Sequence, residues 1–259
     1  MTAAARVLEH NLLVYRRTWR GSIVSTFLAP VLFLAAMGIG LGRFVDGGTG
    51  GGPAALGGVP YAVFLAPGLL AAQAMQTAVG ESTYPVMGKI RWRRIYDGML
   101  ASPIGVRDIL AGELGWMTVR IGIVAVGFFA VMVAFGLVRS PLGLLAVPAA
   151  VLTGLAFALP IYAFTVTQYN DAGFAVIFRL IVTPLFLFSG TFFPVEQLPA
   201  ILRPIAYATP LFHGVALARD ASLGTLDPPA GLLHAAVLLV FIGAGLAVAR
   251  VTLRRRMVS

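Results

Sequence analysis

Met87-Gly88-Lys89-Ile90-Arg91-Trp92-Arg93-Arg94-Ile95-Tyr96-Asp97-Gly98-Met99-Leu100-Ala101-Ser102-Pro103-Ile104, running on through Arg107 to Glu113, decides how this chain is read. The stretch sets Lys89, Arg91, Arg93, Arg94 and Arg107 between two apolar runs, each long enough to cross a bilayer. Basic residues held between spans mark a cytoplasmic loop, and residues 87–113 are enough to form a structural element of their own. Ser102-Pro103 punctuates the stretch. The residue before a proline is driven out of helical geometry, so a new helix is expected to start after Pro103 and lead into the next span.

Composition agrees with that reading. Hydrophobic residues make up 59% of the 259 and charged residues 11%, with a mean hydropathy of +0.90; a soluble domain has roughly 45–50% apolar and about 25% charged residues. The chain is read as a polytopic membrane protein. Its formal net charge of +9 flanks apolar spans instead of covering a soluble face, so it sets membrane orientation and no nucleic-acid partner is expected. The absence of cysteine excludes disulfides, thiol nucleophiles and thiolate metal sites. The residues before the first apolar run carry Arg6, Arg16, Arg17 and Arg20 and are too many for a short leader n-region, so no cleavable signal is expected.

A hydrocarbon core of about 30 Å needs roughly 20 apolar helical residues. That ruler predicts an all-α integral membrane fold with six transmembrane helices, at about 23–41, 61–80, 114–138, 142–166, 174–193 and 230–249. The whole of 1–259 is read as a single transmembrane domain. Arg179 and Pro184 interrupt the fifth span, and the proline requires neighbours to satisfy the carbonyl it frees. An even number of spans puts both termini on the side of the 87–113 loop. That side holds Arg6, Arg16, Arg17, Arg20, Lys89, Arg91, Arg93, Arg94, Arg107, Arg250, Arg254, Arg255 and Arg256, against Arg43, Arg139, Arg203 and Arg219 on the other. Both termini are therefore expected in the cytoplasm.

Three further segments carry expectations. In 3–21, Val7, Leu8, Leu12, Leu13, Tyr15 and Trp19 recur at helical spacing among cationic residues, which predicts an amphipathic helix lying in the cytoplasmic interface. Residues 42–60, which contain the glycine-rich 47–53, read as a flexible outer linker; with no Lys-Ser or Lys-Thr after the glycine run and no strand before it, it is not a phosphate loop. In 194–220, apolar Leu198, Ile201, Leu202 and Ile205 are divided by Pro199, Pro204 and Pro210. This predicts an external re-entrant hairpin of short helices, packed against spans five and six, with His213 near the outer headgroups.

Catalytic readings fare poorly. Ser189 and His213 suggest an intramembrane serine-protease pair, but Ser189 lacks the glycine expected two residues before it and His213 follows two prolines in an external loop. His10, His213 and His234 are expected to stand far apart without a carboxylate cluster, so no metal site is expected. Glu81, Glu113, Arg120 and Arg179 are intramembrane ionisable residues and functional candidates by default, with snorkelling to the cytoplasmic interface as the plain alternative.

Met99-Leu100-Ala101-Ser102-Pro103-Ile104 resembles the coupling segment of ABC type-2 exporter permeases. Arg16-Arg17-Thr18-Trp19-Arg20, followed by Pro30 and Gly38-Ile39-Gly40-Leu41-Gly42, resembles the opening of that family. Phe188-Ser189-Gly190-Thr191-Phe192-Phe193-Pro194-Val195-Glu196-Gln197-Leu198-Pro199, with Tyr207-Ala208-Thr209-Pro210-Leu211-Phe212-His213, resembles the end of its fifth span and its external loop, particularly in permeases for lipo-oligosaccharides such as nodulation factors and for antibiotics. The resemblance implies a membrane subunit with no ATPase site of its own. ATP and Mg would sit on a separate ABC ATP-binding subunit, beside a second permease copy, identical or related, in a bacterial plasma membrane. The substrate would be amphipathic, a drug, lipid or lipo-oligosaccharide moved outward. By the same resemblance, coupling to the ATPase falls to Lys89, Arg91, Arg93, Arg94, Met99, Leu100, Ser102 and Pro103, helped by Arg16, Arg17 and Trp19. The substrate path and dimer interface would be Phe186, Phe188, Ser189, Gly190, Phe192 and Phe193, and the external hairpin Pro194, Glu196, Leu198, Pro199, Pro210 and His213. One departure is Gly88-Lys89-Ile90-Arg91-Trp92, where family members tend to carry an acidic residue and an arginine. The competing readings are a secondary carrier, weakened by the lack of buried acids across several spans, and a membrane-embedded lipid-modifying enzyme, weakened by the lack of a polar catalytic cluster.

Overall fold

A long apolar run in lipid has no water to satisfy its backbone, so it must close its hydrogen bonds within itself. The computed structural model describes residues 2–47, 54 and 56–258, and among these the regular structure is helical throughout, with no strand. Helix α1 runs from Ala3–Phe33 through a wider, π-type stretch at Leu34–Leu41 into Gly42–Gly47. Helix α2 is Tyr61–Trp92, broken only at Thr83, whose backbone leaves helical geometry. The short α3 is Ile95–Leu100, and α4 is Val106–Ala134. Helix α5 is Ala146–Thr167, entered through a tighter turn at Pro141–Leu145. Then come α6 at Ala172–Phe188, α7 at Arg203–Tyr207, α8 at Pro210–Leu223 and α9 at Pro228–Val258.

Helix α2 lies at the centre, with most of Tyr61–Val79 buried, and packs against α4, α5 and α8. Helix α9 lies on α5 and α8. Small residues bring these helices close. A Cβ on Gly245 of α9 would come within 2.7 Å of Pro160 Cδ on α5, and one on Gly154 of α5 within 2.8 Å of Ile121 Cγ2 on α4.

Several expectations are corrected. Among the described residues five helices are long and apolar enough to span, at Pro30–Gly47, Tyr61–Trp92, Val106–Ala134, Pro141–Thr167 and Pro228–Met257. The expected fifth span is a shorter apolar helix, α6, that stops at Phe188 instead of Phe193, because Gly190 takes a left-handed φ of +82° that turns the chain. The second span reaches Trp92 and the third begins at Val106, so the expected 87–113 loop shrinks to the surroundings of α3. The Gly42–Gly47 part of the expected linker is helical, and the rest of its glycine-rich run, 48–53, lies outside the described residues.

The expected interfacial helix is not separated from the first span: α1 continues without a break past Gly21. A lone glycine costs a helix only about 1 kcal/mol, and no proline or cap intervenes there. The N-terminal part of α1 packs along α4, where Gly112 admits it. A Cβ on Gly112 would come within 2.5 Å of Val7 Cβ and 2.9 Å of the Ala4 carbonyl. Gly112→Ala is therefore expected to push α1 off α4 at a cost of about 1–3 kcal/mol. In the natural cysteine-free background, thiols placed at Leu8 and Gly115, which face each other across this contact, should cross-link with a short reagent in the parent and lose most of that yield in the alanine variant.

Candidate coupling site

The strongest concentration of buried polar chemistry lies where α1, α2, α3, α4 and α5 meet. Glu113 of α4 is 1% exposed and receives the Lys89 ammonium from the end of α2 at 2.8 and 2.7 Å. Lys89 Nζ also donates to Asn11 Oδ1 of α1 at 2.8 Å, and Asn11 Nδ2 donates to Glu113 Oε1 at 3.3 Å. From α3, fully buried Tyr96 enters the same cluster, its hydroxyl 3.5 Å from that of Tyr162 on α5 and interacting with Glu113. Burial, and then the Glu113 carboxylate, push the Tyr96 phenol well above its usual range, so it stays protonated and available as a donor.

Beside this cluster lies a second. Arg120 Nε of α4 donates to Glu81 Oε1 of α2 at 2.9 Å, Trp116 Nε1 donates to Glu81 Oε2 at 3.3 Å, and the Arg120 guanidinium lies 5.0 Å from the Tyr15 ring of α1. Glu81, Glu113 and Arg120 are thus paired inside the protein and do not reach out to the interface. Arg179 is exposed.

Helix α3 is rooted by its inner face and free at its tip. Tyr96 is buried and Met99 and Leu100 pack partly buried against the core, whereas Asp97, Gly98, Ala101, Ser102 and Pro103 are exposed. A left-handed Arg94, φ +48°, turns the chain into it. Of the residues assigned to coupling from sequence, Arg91, Arg93, Arg94, Ser102 and Pro103 are at the surface, as are Arg16, Arg17 and Trp19 on α1. Lys89 is directed inward, and Met99 and Leu100 serve as the root of the helix. Tyr96, Tyr162 and Asn11 were missed because a tyrosine or asparagine near an apolar run reads as ordinary packing.

The opposite end is organised by Arg219 of α8. Its Nε donates to the Phe64 carbonyl at 3.1 Å, Nη2 donates to the Gly190 carbonyl at 2.7 Å and approaches the Thr191 carbonyl at 3.4 Å, and the guanidinium lies 3.7 Å from the Phe64 ring centre. Burial lowers its pKa to about 10, which still leaves it charged near neutrality. Gly68 makes room: a Cβ there would be 2.9 Å from the Thr191 carbonyl.

The hairpin has its own small core of Val195, Leu198 and Ala206, against which Phe193, Leu202 and Phe212 pack. Pro194 precedes a short turn at Val195–Gln197, Glu196 accepts from the Tyr207 hydroxyl at 3.0 Å, and Pro199 is exposed. Ile201 and Ile205 are exposed. Pro210 opens α8, which packs on α2 and α5 as well as α9, and Thr209 and Arg219 bond to the end of the expected fifth span at Ser189 and Gly190. Phe186 and Phe192 pack on each other at 5.0 Å and on Phe33 of α1, while Phe188 is exposed. Ser189 lies 3.2 Å from the Thr209 hydroxyl.

His213 meets His234, Nδ1 to Nδ1 at 2.8 Å, which corrects the expectation that the histidines stand far apart: α8 folds back on α9 and brings the two rings together. No group of three His, Cys, Asp or Glu suited to a metal occurs among the described residues. Burial, and then the neighbouring His234, lower the His213 pKa below 6.5, against a bond to the Tyr207 backbone that raises it. The folded state therefore favours neutral His213. Its contribution to stability is complete above the ordinary value and is lost as pH falls below it through the lowered folded value. The hairpin contact should weaken as pH falls below about 6.5, and His213→Asn should flatten that part of the thermal-midpoint profile.

A family model described as ABC-2 type transporter matches residues 4–223. The chain is 32% identical to Nodulation protein J of Rhizobium leguminosarum bv. viciae over 252 residues, covering 97% of this chain and 93% of that protein. It is 29% identical to Nodulation protein J of Rhizobium meliloti (strain 1021) over 251 residues, covering 97% and 92%. It is 24% identical to Inner membrane transport permease YadH of Escherichia coli (strain K12) over 228 residues, covering 88% and 85%. Taken with helices long and apolar enough to cross a membrane, the match over most of its length makes this chain a membrane-embedded transport permease of the ABC-2 type transporter family.

Proposed function

We propose that this chain is the permease subunit of an ATP-driven exporter, working with a separate ABC ATP-binding subunit that holds ATP and Mg, and with a second permease copy. The observation that carries the reading is α3, an exposed tip on a buried root. Asp97, Gly98, Ala101, Ser102 and Pro103 face outward while Tyr96 reaches into a polar cluster built from α1, α2, α4 and α5. A partner that grips the tip and moves it displaces Tyr96, and the buried bonds pass that motion to four other helices at once. Exposed Arg93, Arg94, Arg16 and Arg17 give the same end a cationic rim for the partner. The basic end is then cytoplasmic, as the distribution of arginine and lysine favours, and the whole chain acts as one domain with α6 completing six crossings of the bacterial plasma membrane.

The outer end suits release of an amphipathic substrate, a drug, lipid or lipo-oligosaccharide. Exposed Leu180, Leu187 and Phe188 on α6 offer an apolar wall that holds such a molecule without binding it by charge. Likeness to proteins called Nodulation protein J favours the lipo-oligosaccharide. Catalysis within the chain is not proposed: Ser189 pairs with Thr209, and His213 with His234.

Ala101→Arg, at the exposed tip and away from the buried root, should leave the permease level and melting unchanged. It should abolish co-purification of an ABC ATP-binding subunit co-expressed with it. Undiminished co-purification and substrate-stimulated ATP hydrolysis in that variant would contradict the assignment of α3.

A further inference from the structure

Between the ends of α2, α5 and α9 lies an open cleft of about 810 Å³, lined on its polar side by Arg91, Arg94, Arg255, Arg256 and Tyr169. Its chemistry is lopsided. Among the described residues, Arg91, Arg94 and Arg256 share this cleft with one carboxylate, Asp97, and that carboxylate is engaged by Arg94 at 3.0 Å. The Arg91 and Arg256 guanidinium groups lie 4.7 and 4.5 Å from the centre of the same ring, Tyr169. Among the described residues neither of these two meets a carboxylate. Two cations on one aromatic ring repel each other, and an anion placed between their N–H edges removes the repulsion. A guanidinium stacked by its face keeps its edge free for bidentate contact with phosphate oxygens.

Depth and floor favour a lipid over a peptide acid. The lining residues Val166 and Met257 stand at the ends of two apolar helices, α5 and α9, beside Ile90 at the end of α2. The cleft thus opens at headgroup level, cationic at the rim and apolar beneath, and basic pockets between helices at the cytoplasmic face hold anionic headgroups.

We infer that this cleft binds the phosphate headgroup of an anionic phospholipid, held between Arg91 and Arg256 across Tyr169, with the glycerol and upper acyl chain against the half-buried Met257. The inference goes beyond the exporter reading, requiring only that the chain spans a bilayer. A lipid seated there ties the end of α9 to the approach to α3, so the lipid around the protein conditions how firmly the coupling element is held.

The test is native mass spectrometry of the full chain in mild detergent, titrated with phosphatidylglycerol or phosphatidylcholine. The parent should retain phosphatidylglycerol preferentially. The R91Q/R256Q variant should lose about thirtyfold of that preference, taking roughly fivefold for each cation at a membrane surface. Tyr169→Leu, which keeps every charge and removes the shared ring, should lose part of it, so the site is testable even if the double variant folds poorly. Equal retention of the two lipids by the parent, or an unchanged preference in Tyr169→Leu and R91Q/R256Q alike, overturns the proposal. Displacement of phosphatidylglycerol by equimolar inorganic phosphate would make the ligand a free anion and also overturn it. Loss of the ATP-binding subunit from R91Q/R256Q with lipid preference intact would assign the cleft to that protein instead.

Discussion

Replacing Glu113 by leucine is expected to destabilise the permease by about 3–5 kcal/mol, because it strands the Lys89 ammonium, which among the described residues has no second carboxylate within ion-pair distance. Lys89→Met should cost a comparable amount by stranding Glu113, which is 1% exposed. The double variant, apolar at both positions, should recover most of the loss, since a buried pair and a well-packed apolar pair of similar volume are often nearly equal in stability. What remains is the cost of leaving Asn11 and Tyr96 short of a partner, about 1–3 kcal/mol for each unsatisfied group. Thermal unfolding in detergent reads the stability arm. Transport reads the other: on the proposed coupling through α3, the double variant should fold and bind an ATP-binding subunit yet export poorly, because the bonds proposed to carry α3 movement to α1, α2 and α4 are gone. A double variant that exports like the parent would show that Glu113 and Lys89 serve folding alone.

Arg219→Met should be the most damaging single change at the opposite end. It leaves the Phe64 and Gly190 carbonyls without their donors, and weakens the hold on Thr191, at a cost on the order of 3 kcal/mol or more. Arg219→Lys should recover only part of this, since one ammonium cannot reproduce a planar fork that reaches carbonyls on α2 and on the turn after α6. Limited proteolysis of the 190–200 segment, alongside the unfolding midpoint, checks the expectation: cleavage should accelerate in the methionine variant and be intermediate in the lysine variant. A parent-like midpoint and cleavage rate for Arg219→Met would remove Arg219 from this structural role.

The reason Arg219 escaped notice is instructive. Counted as one of four cations on the outer side, it looked like an ordinary loop charge, and nothing in its neighbours, Ala218 and Asp220, reveals that it bonds to Phe64, 155 positions away. Long apolar runs were readable because their length alone implies a helix in lipid; the second, third, fourth and sixth spans sit close to where that ruler places them. Junctions were less readable. Whether the segment before Gly21 lies apart from the first span depends on what it packs against, and here Gly112 and Gly115 of α4 accept Ala4, Val7 and Leu8. A structural element does lie in the stretch the sequence singled out, at α3, but the pairing of the residues around it was not legible. Its basic residues drew attention as the contact surface, whereas Lys89 is consumed by Glu113, 24 positions on. Pairing across helices cannot be read from spacing along one of them.

The unbroken course of α1 has a mechanical meaning. Residues 3–47 follow one helical path of roughly 65 Å at about 1.5 Å per residue, with Pro30 inside it, held at one end by Asn11 in the Lys89 and Glu113 cluster and carrying Phe33 against Phe186 and Phe192 farther along. A jointed element would absorb a small displacement at its hinge. A rod pivoting about its middle turns the same displacement into an opposite swing at the far tip, so a tilt of about 5° at the basic end carries the other end by some 3 Å over half that length. The wider turns at Leu34–Leu41 are then the place where such a swing meets compliance, and the first point at which movement begun by the partner at one face would be felt as an opening at the other.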